Sequence, residues 1–214
     1  MRSRNLMAAA LVILATVAAA AQELAPVQLP APQMTGGKPL MEALALRATS
    51  RSFAADPLPA QLLSNLLWAA WGINRPKEGK RTAPSARNWQ EIDVVVVNAV
   101  GAYAYDAAGN RLKPLVAGDY RTLAGVQGFV KDAPMTLVFV ADTTRMSGAS
   151  GSDAVAYAWA DAAFISENVY LFCASEGLAT GVRAYVDKPA LARALRLAPT
   201  QTIVLAQSVG YPKK

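Results

Sequence analysis

A long helical pattern at residues 153–179 is the feature that most constrains the fold of this 214-residue chain. At 1.5 Å per residue, a helix of that length spans ~40 Å. Apolar side chains cover almost its whole circumference, and a thin polar face remains at Asp161, Glu167 and Asn168. A helix of this kind is buried in a core or in an interface between subunits. In a chain of this length, we expect part of it to be shared with a second subunit.

The other segments predict a single α+β domain rather than a repeating βαβ array. Residues 94–97 are four consecutive valines, which is typical of a strand buried on both faces. Strands are predicted at residues 92–97, 101–105, 112–116, 135–141 and 202–209, and helices at 40–46, 119–129 and 188–195, with one more helix from Asp56-Pro57 to Gly72. No glycine-rich nucleotide-binding motif follows a strand.

The N-terminal 21 residues are typical of a secretory signal peptide. A basic start is followed by a short apolar run and then by Ala19-Ala20-Ala21, which supplies small residues at both positions of a cleavage site. We expect cleavage before Gln22, Sec-type export and a periplasmic or secreted protein, with an uncleaved anchor as the alternative. Residues 22–38 are rich in proline and glycine and predict a linker. The domain itself is predicted at residues 39–214.

The amino-acid composition excludes several kinds of active site. The chain has no histidine and one cysteine, Cys173. Ser-His-Asp and Cys-His nucleophiles are excluded, the usual zinc ligand is missing, and we expect no metal site. The apolar neighbours of Cys173 predict a buried, inert thiol. An enzyme of this composition would draw its chemistry from a bound organic cofactor, and a carboxylate pair or no catalysis at all are the alternatives.

Charge is also informative. The formal net charge is +6, but the basic residues are scattered and carry no stripe of interleaved aromatics. This pattern argues against a nucleic-acid partner.

Two polar stretches are candidate binding segments. Residues 82–90 form a loop between an apolar helix and an apolar strand, and they offer hydroxyl and amide groups to a flat, polar-edged ligand. Arg47 and Arg51 lie four residues apart with a hydroxyl between them, so they can converge on one anion such as a phosphate. The alternatives are an ordinary helix-to-strand connection and two solvated surface arginines.

Four segments, in this order, resemble the nitroreductase family of FMN-dependent flavoenzymes. Residues 47–53 resemble the opening pattern arginine, any, serine, any, arginine, any, aromatic, with Thr49 in the serine place. Residues 84–90 resemble the motif Pro-Ser-x-x-Asn-x-Gln. Residues 168–180 resemble the late helix with its Glu-Gly turn, and residues 210–212, followed by lysines, resemble the terminal segment. The resemblance extends from about residue 40 to the end and is strongest to the exported, SagB-type branch.

The resemblance implies an α+β homodimer with a central, mostly antiparallel sheet and FMN at the subunit interface. It implies that Arg47, Thr49 and Arg51 hold the phosphate, the ribityl chain and the N1/O2 edge of the flavin, with Lys213 or Lys214 assisting at the phosphate. The flavin ring would be lined from the partner subunit by Pro84, Ser85, Asn88 and Gln90. Backbone N–H groups of Glu176 and Gly177 would face the flavin N5 atom.

The function expected from the resemblance is an FMN-dependent oxidoreductase. It would carry electrons in a ping-pong cycle through flavin N5, from a donor such as NAD(P)H to a nitroaromatic, a quinone or a related acceptor. One alternative is an exported flavin-binding or maturation protein without turnover, since NAD(P)H is scarce outside the cytoplasm. Another is an exported structural or interaction domain in which the motifs are coincidental.

Overall fold

The computed structural model describes residues 24–214. The predicted signal peptide therefore lies outside the described residues. Within residues 24–214, no helix is both long enough and apolar enough to cross a membrane.

A seven-stranded antiparallel sheet forms the centre of the described residues, in the order β1-β6-β5-β4-β7-β9-β8. A separate two-stranded hairpin pairs β2 with β3. The strands are β1 (Val27–Gln28), β2 (Ile73–Arg75), β3 (Lys80–Arg81), β4 (Ile92–Asn98), β5 (Gly101–Asp106), β6 (Arg111–Ala117), β7 (Met135–Asp142), β8 (Ala179–Arg183) and β9 (Gln201–Gly210). The predicted α+β class is confirmed.

The valine run of β4 shows how the core is divided. Val94 and Val96 pack on one face of the sheet with side chains of the long helix, while Val95 and Val97 pack on the other face. Successive side chains of a strand point to opposite faces, so an unbroken apolar run requires cover on both sides. The prediction that this strand is buried on both faces is confirmed.

Four helices complete the described fold: α1 (Leu40–Leu46), α2 (Ala60–Trp71), α3 (Gly151–Glu176) and α4 (Lys188–Ala194). The long helix is confirmed, and it ends at Gly177, whose φ of 69° is the left-handed conformation that glycine adopts most readily. Cys173 lies on α3 and is fully buried, as expected, and burial raises the pKa of its thiol.

Three predicted elements differ from the structure. The helix expected from Asp56-Pro57 begins at Ala60, because Pro59 has an extended ψ of 149° and stands outside it. The helix expected at residues 119–129 is instead two 3₁₀ turns, Arg121–Leu123 and Gly128–Lys131. Residues 179–183, expected at the loosened end of the long helix, form edge strand β8.

The segment expected to be a linker is partly built into the domain. Strand β1 pairs with β6, and Leu29 is buried in the core. Asn110 fastens the segment, since its Nδ2 donates to the Pro30 carbonyl oxygen at 2.6 Å and to Ser64 Oγ at 3.1 Å. Ser64 is fully buried and also donates to Pro30, at 2.6 Å. These contacts make residues 24–38 a strap across the sheet edge and α2.

Replacing Asn110 tests this strap. We expect Asn110→Ala to lower the free energy of unfolding by ~1–3 kcal/mol, because two hydrogen bonds are lost and alanine is strained at a φ of 42°. Asn110→Gly relieves the strain without restoring the hydrogen bonds. Its free energy of unfolding should therefore lie between those of the unmutated chain and of Asn110→Ala. Urea denaturation measures both variants. An Asn110→Ala protein as stable as the unmutated chain would contradict the role given to the strap.

Candidate functional site

The segment at residues 47–53 lies against edge strand β8. The Ser50 N–H donates to the Thr180 carbonyl oxygen at 2.8 Å. A Cβ atom on Gly181 would lie 2.9 Å from the Ser50 carbonyl oxygen, closer than such contacts occur. Glycine at position 181 therefore permits the close approach that places this segment.

Tyr170 of α3 orients the same segment. Its hydroxyl shares a 2.9 Å hydrogen bond with Thr49 Oγ1 and accepts the Val182 N–H at 3.0 Å. The Arg47 guanidinium lies over the Tyr170 ring, 5.4 Å from its centroid, which is a cation–π contact. One side chain of the long helix thus contacts two of the three residues of this segment that are expected near the flavin.

The C-terminal segment runs beside residues 52–54. Phe53 and Pro212 form an antiparallel bridge, the Ala54 N–H donates to the Tyr211 carbonyl oxygen at 2.9 Å, and the Lys213 N–H donates to the Ser52 carbonyl oxygen at 3.4 Å. These contacts bring the Lys213 backbone alongside Arg51.

We call Arg47, Arg51 and Lys213 the cationic edge. All three are exposed, and none forms an ion pair with a carboxylate of residues 24–214. Surface cations without local partners are free to bind an anion, and arginine suits phosphate in particular.

The turn at the end of α3 belongs to the same region of the molecule. Glu176 and Gly177 are exposed and follow Tyr170 by about 10 Å of helix. The Gly177 N–H already donates to the Cys173 carbonyl oxygen, which also accepts the Leu178 N–H at 2.8 Å. A bond from Gly177 to a flavin would therefore share its hydrogen with the helix cap.

The loop at residues 84–90 is strained. Arg87, Asn88 and Gln90 have φ values of 49°, 56° and 50°, a region that costs a residue with a side chain of order 1 kcal/mol or more. Such strain persists only where surrounding contacts hold it in place.

Those contacts engage most of the polar groups of the loop. Ser85 Oγ accepts the Gln90 N–H at 2.8 Å, and Gln90 Oε1 accepts from Arg81 Nε at 2.7 Å. Gln90 Nε2 donates to Asn88 Oδ1 at 3.0 Å. Ser85 and Gln90, predicted to touch a flavin, therefore also maintain the loop, whereas Pro84 and Asn88 are exposed and face outward.

Two buried carboxylic acids beneath this loop were not predicted from the sequence. Glu91 is fully buried and Asp161 is 2% exposed. Glu91 Oε2 accepts from Ser85 Oγ at 3.3 Å, and Asp161 Oδ2 accepts the Ala86 N–H at 2.9 Å. Burial, and then the nearby negative charge of Asp161, raise the pKa of Glu91 to about 7.

The loop and the cationic edge contact different levels of α3. The loop meets the helix at Asp161 and at Tyr157, whose ring packs edge-on against Trp89 at 5.5 Å. The cationic edge meets it at Tyr170, nine residues and ~13 Å further along. The long helix therefore separates the two predicted halves of the site within one chain.

Helices α1 and α3 pack together, and each exposes large apolar side chains. Leu40 and Met41 of α1 are 62% and 75% exposed, and Val155 and Phe164 of α3 are 58% and 49% exposed. Tyr157 and Trp159 of α3 are also exposed. Large apolar side chains exposed on neighbouring helices suit a protein–protein interface.

Known proteins provide an independent comparison. Residues 44–211 match the model of the nitroreductase family. The chain is 28% identical over 159 residues to a candidate nitroreductase of Methanocaldococcus jannaschii, covering 69% of this chain and 80% of that one.

Solved structures give the same result. A crystal structure of a candidate nitroreductase from Ralstonia eutropha JMP134 superimposes with a TM-score of 0.85 at 40% identity, over 88% of this chain and 90% of that one. The NADPH:FMN oxidoreductase of Vibrio harveyi, solved in complex with NAD⁺, superimposes with a TM-score of 0.61 at 18% identity, over 82% and 69% of the two chains.

Proposed function

This chain belongs to the nitroreductase family and has its fold, and we propose that it is an FMN-dependent oxidoreductase acting on a nitroaromatic, a quinone or a related acceptor. Oxidoreductase function follows from the family. The cofactor, the substrate class and the ping-pong cycle are our proposal. The observation that carries it is the cationic edge, three exposed cations without carboxylate partners among the described residues, at the positions that the family motifs assign to the cofactor.

The residues present fit FMN. Arg51 and Lys213 supply positive charge for a phosphate, and Thr49 offers a hydroxyl already oriented by Tyr170. Arg47, held on the Tyr170 ring, supplies a positive charge for the N1/O2 edge, and such a charge favours the reduced cofactor and raises its potential. When bound, FMN supplies a hydride acceptor at N5 that is reduced by one substrate and reoxidised by the next.

In turnover, the protein's own residues would bind and orient the cofactor and the substrate and would exclude water. No histidine is available as a proton shuttle, which suits a reaction whose hydride chemistry belongs to the cofactor.

The V. harveyi relative, an NADPH:FMN oxidoreductase, supports a nicotinamide donor and FMN. The signal-like N-terminus supports export, and an exported enzyme would need a donor other than the cytoplasmic nicotinamide pool.

A homodimer would complete the site. The loop at residues 84–90 and the cationic edge lie ~13 Å apart along α3, so one chain does not present both to the same ring. If two copies of α3 cross antiparallel about their midpoint near Phe164, residues 157–161 of one copy lie level with residues 166–170 of the other. The exposed apolar surface of α1 and α3 is suited to this contact. Each loop would then line the flavin held by the partner's cationic edge.

Spectroscopy tests the proposed cofactor and its turnover. We expect purified protein, as isolated or after incubation with FMN, to show the absorption bands of a bound flavin. Anaerobic titration with NADH, NADPH or dithionite should bleach those bands, and a quinone or nitroaromatic should restore them. A protein that stays colourless with FMN would rule out the proposed function. Bound flavin that only dithionite reduces would instead favour a flavin-binding protein without nicotinamide turnover.

The phosphate assignment of Arg51 is tested by comparing FMN with riboflavin. Arg51→Ala should weaken FMN binding about 10- to 100-fold, because a charge-assisted hydrogen bond contributes ~1.5–3 kcal/mol. Riboflavin, which has no phosphate, should bind both proteins equally. Arg193→Ala, at an exposed arginine of α4, is the matched control and should change neither affinity. An equal loss of affinity for FMN and for riboflavin would show that Arg51 does not bind the phosphate.

The composite site is tested by breaking the apolar surface. We expect Phe164→Asp to convert the dimer to a monomer and to abolish tight FMN binding, because a buried charge would disrupt the contact. Light scattering after size exclusion measures the assembly, and flavin fluorescence measures binding. Val126→Asp, at an apolar residue 51% exposed in the loop between the two 3₁₀ turns, should leave both unchanged. A Phe164→Asp monomer that still binds FMN tightly would refute the composite site.

A further inference from the structure

We propose that the buried pair Glu91–Asp161 positions the loop at residues 84–90, and that the loop keeps its shape only while Glu91 carries a proton. The loop's effect on cofactor binding rests on the function proposed above, whereas the coupling between the pair and the loop does not.

The hydrogen bonds connect the pair to both ends of the loop. At the start of the loop, Asp161 accepts the Ala86 N–H and Glu91 accepts the Ser85 hydroxyl, at 2.9 Å and 3.3 Å. At its end, Ser85 Oγ accepts the Gln90 N–H at 2.8 Å. Ser85 is therefore the link between the acid pair and the end of the loop.

One oxygen of Glu91 is left without a partner unless the carboxyl group carries a proton. Glu91 Oε1 is buried and has no hydrogen-bond partner among residues 24–214. The Asp161 carboxyl accepts from Ala86, the residue that follows Ser85, so both carboxyl groups lie beneath the start of the loop. Two carboxylates cannot bond to each other, but a carboxylic acid can donate to a carboxylate. A proton on Glu91 would therefore satisfy the unpaired oxygen and leave one negative charge beneath the loop instead of two.

The neighbouring cations do not neutralise the pair. Arg145 donates to the main-chain oxygens of Gln90 and Glu91, at 2.9 Å and 2.8 Å, and pairs with the carboxylate of Asp93 at 2.7 Å. Arg81 of β3 donates to the side-chain oxygen of Gln90 and to the Trp71 carbonyl oxygen. Among the described residues, neither guanidinium donates to the carboxyl group of Glu91 or Asp161, so loss of the Glu91 proton would leave two adjacent anions without a cation.

That loss would release stored strain. Repulsion between two buried carboxylates would weaken the bonds to Ser85 and Ala86, and these bonds hold a loop with three residues in the left-handed region. Because the pKa of Glu91 is raised from its ordinary 4.5 to about 7, the folded loop keeps a proton that the opened loop would lose. The closed loop is therefore favoured at low pH and becomes less stable as pH rises from about 4.5 through about 7.

Hydrogen exchange of the apoprotein tests the coupling directly. We expect the protection factors of the Ala86 and Gln90 amides to fall about tenfold per pH unit between about pH 5.5 and 7, and to level off above 7. The Ala190 amide, which donates to the Asp187 carboxylate at 3.0 Å in a separate cap, should show no such slope. Glu91→Gln should remove the slope at Ala86 and Gln90. Asp161→Asn should end the slope at a lower pH, because burial still raises the pKa of Glu91 when the charge of Asp161 is gone, so either variant tests the pair if the other fails to fold. Asp132→Asn, at an exposed carboxylate, should retain it.

FMN affinity, measured by flavin fluorescence over the same pH range, separates this inference from the proposed function. In the unmutated chain the affinity should fall as pH rises through about 7, and in Glu91→Gln it should stay constant. If protection falls with pH but FMN does not bind at any pH, the coupling between the pair and the loop is supported and the proposed cofactor is rejected. If the protection of the Ala86 and Gln90 amides does not change with pH, the proposed coupling between the pair and the loop is wrong, whatever the FMN result.

Discussion

The packing of α3 against the sheet is the interaction on which the rest of this structure depends. One face of the helix covers the apolar face of β4 and β7, and each part of the candidate site contacts the helix at a fixed level. Asp161 holds the loop, Tyr170 holds the Arg47–Thr49 segment, and the turn at Gly177 ends the helix. A rigid helix therefore sets the spacing between groups that are distant in sequence, and a disturbance of its packing would reach all of them.

Much of the fold could be predicted because burial leaves a local pattern. The valines of β4 and the apolar circumference of α3 are properties of a few consecutive residues, and both elements appear close to their expected bounds. Strand β8 could not be found in this way. Its five residues include Gly181, whose role is to let Ser50 approach from 131 positions earlier in the chain. The strap at residues 24–38 was missed for the same reason, since its partners Ser64 and Asn110 are distant in sequence.

The candidate site also contains residues that the sequence predicted and residues that it did not. The residues of the cationic edge were identified through family motifs, and the structure adds the contacts with Tyr170 and β8 that hold them. Glu91 and Asp161 carried no such signal. The sequence places Asp161 on the thin polar face of the long helix, and Glu91 precedes an apolar strand as an ordinary charged flank would. A polar residue that tertiary packing buries has the same local sequence pattern as one that remains in water, so only the assembled fold distinguishes them.

The acid pair also changes the meaning of the missing histidines. A chain without histidine would be expected to lack a side chain that titrates near neutral pH. Burial and a facing carboxyl give Glu91 that property instead, with a pKa of about 7. In the proposed dimer, the loop that this pair holds lines the cofactor of the neighbouring subunit. The protonation state of one subunit would then be sensed at its partner's flavin, so that pH couples the two sites through the loop rather than through the chemistry of the cofactor.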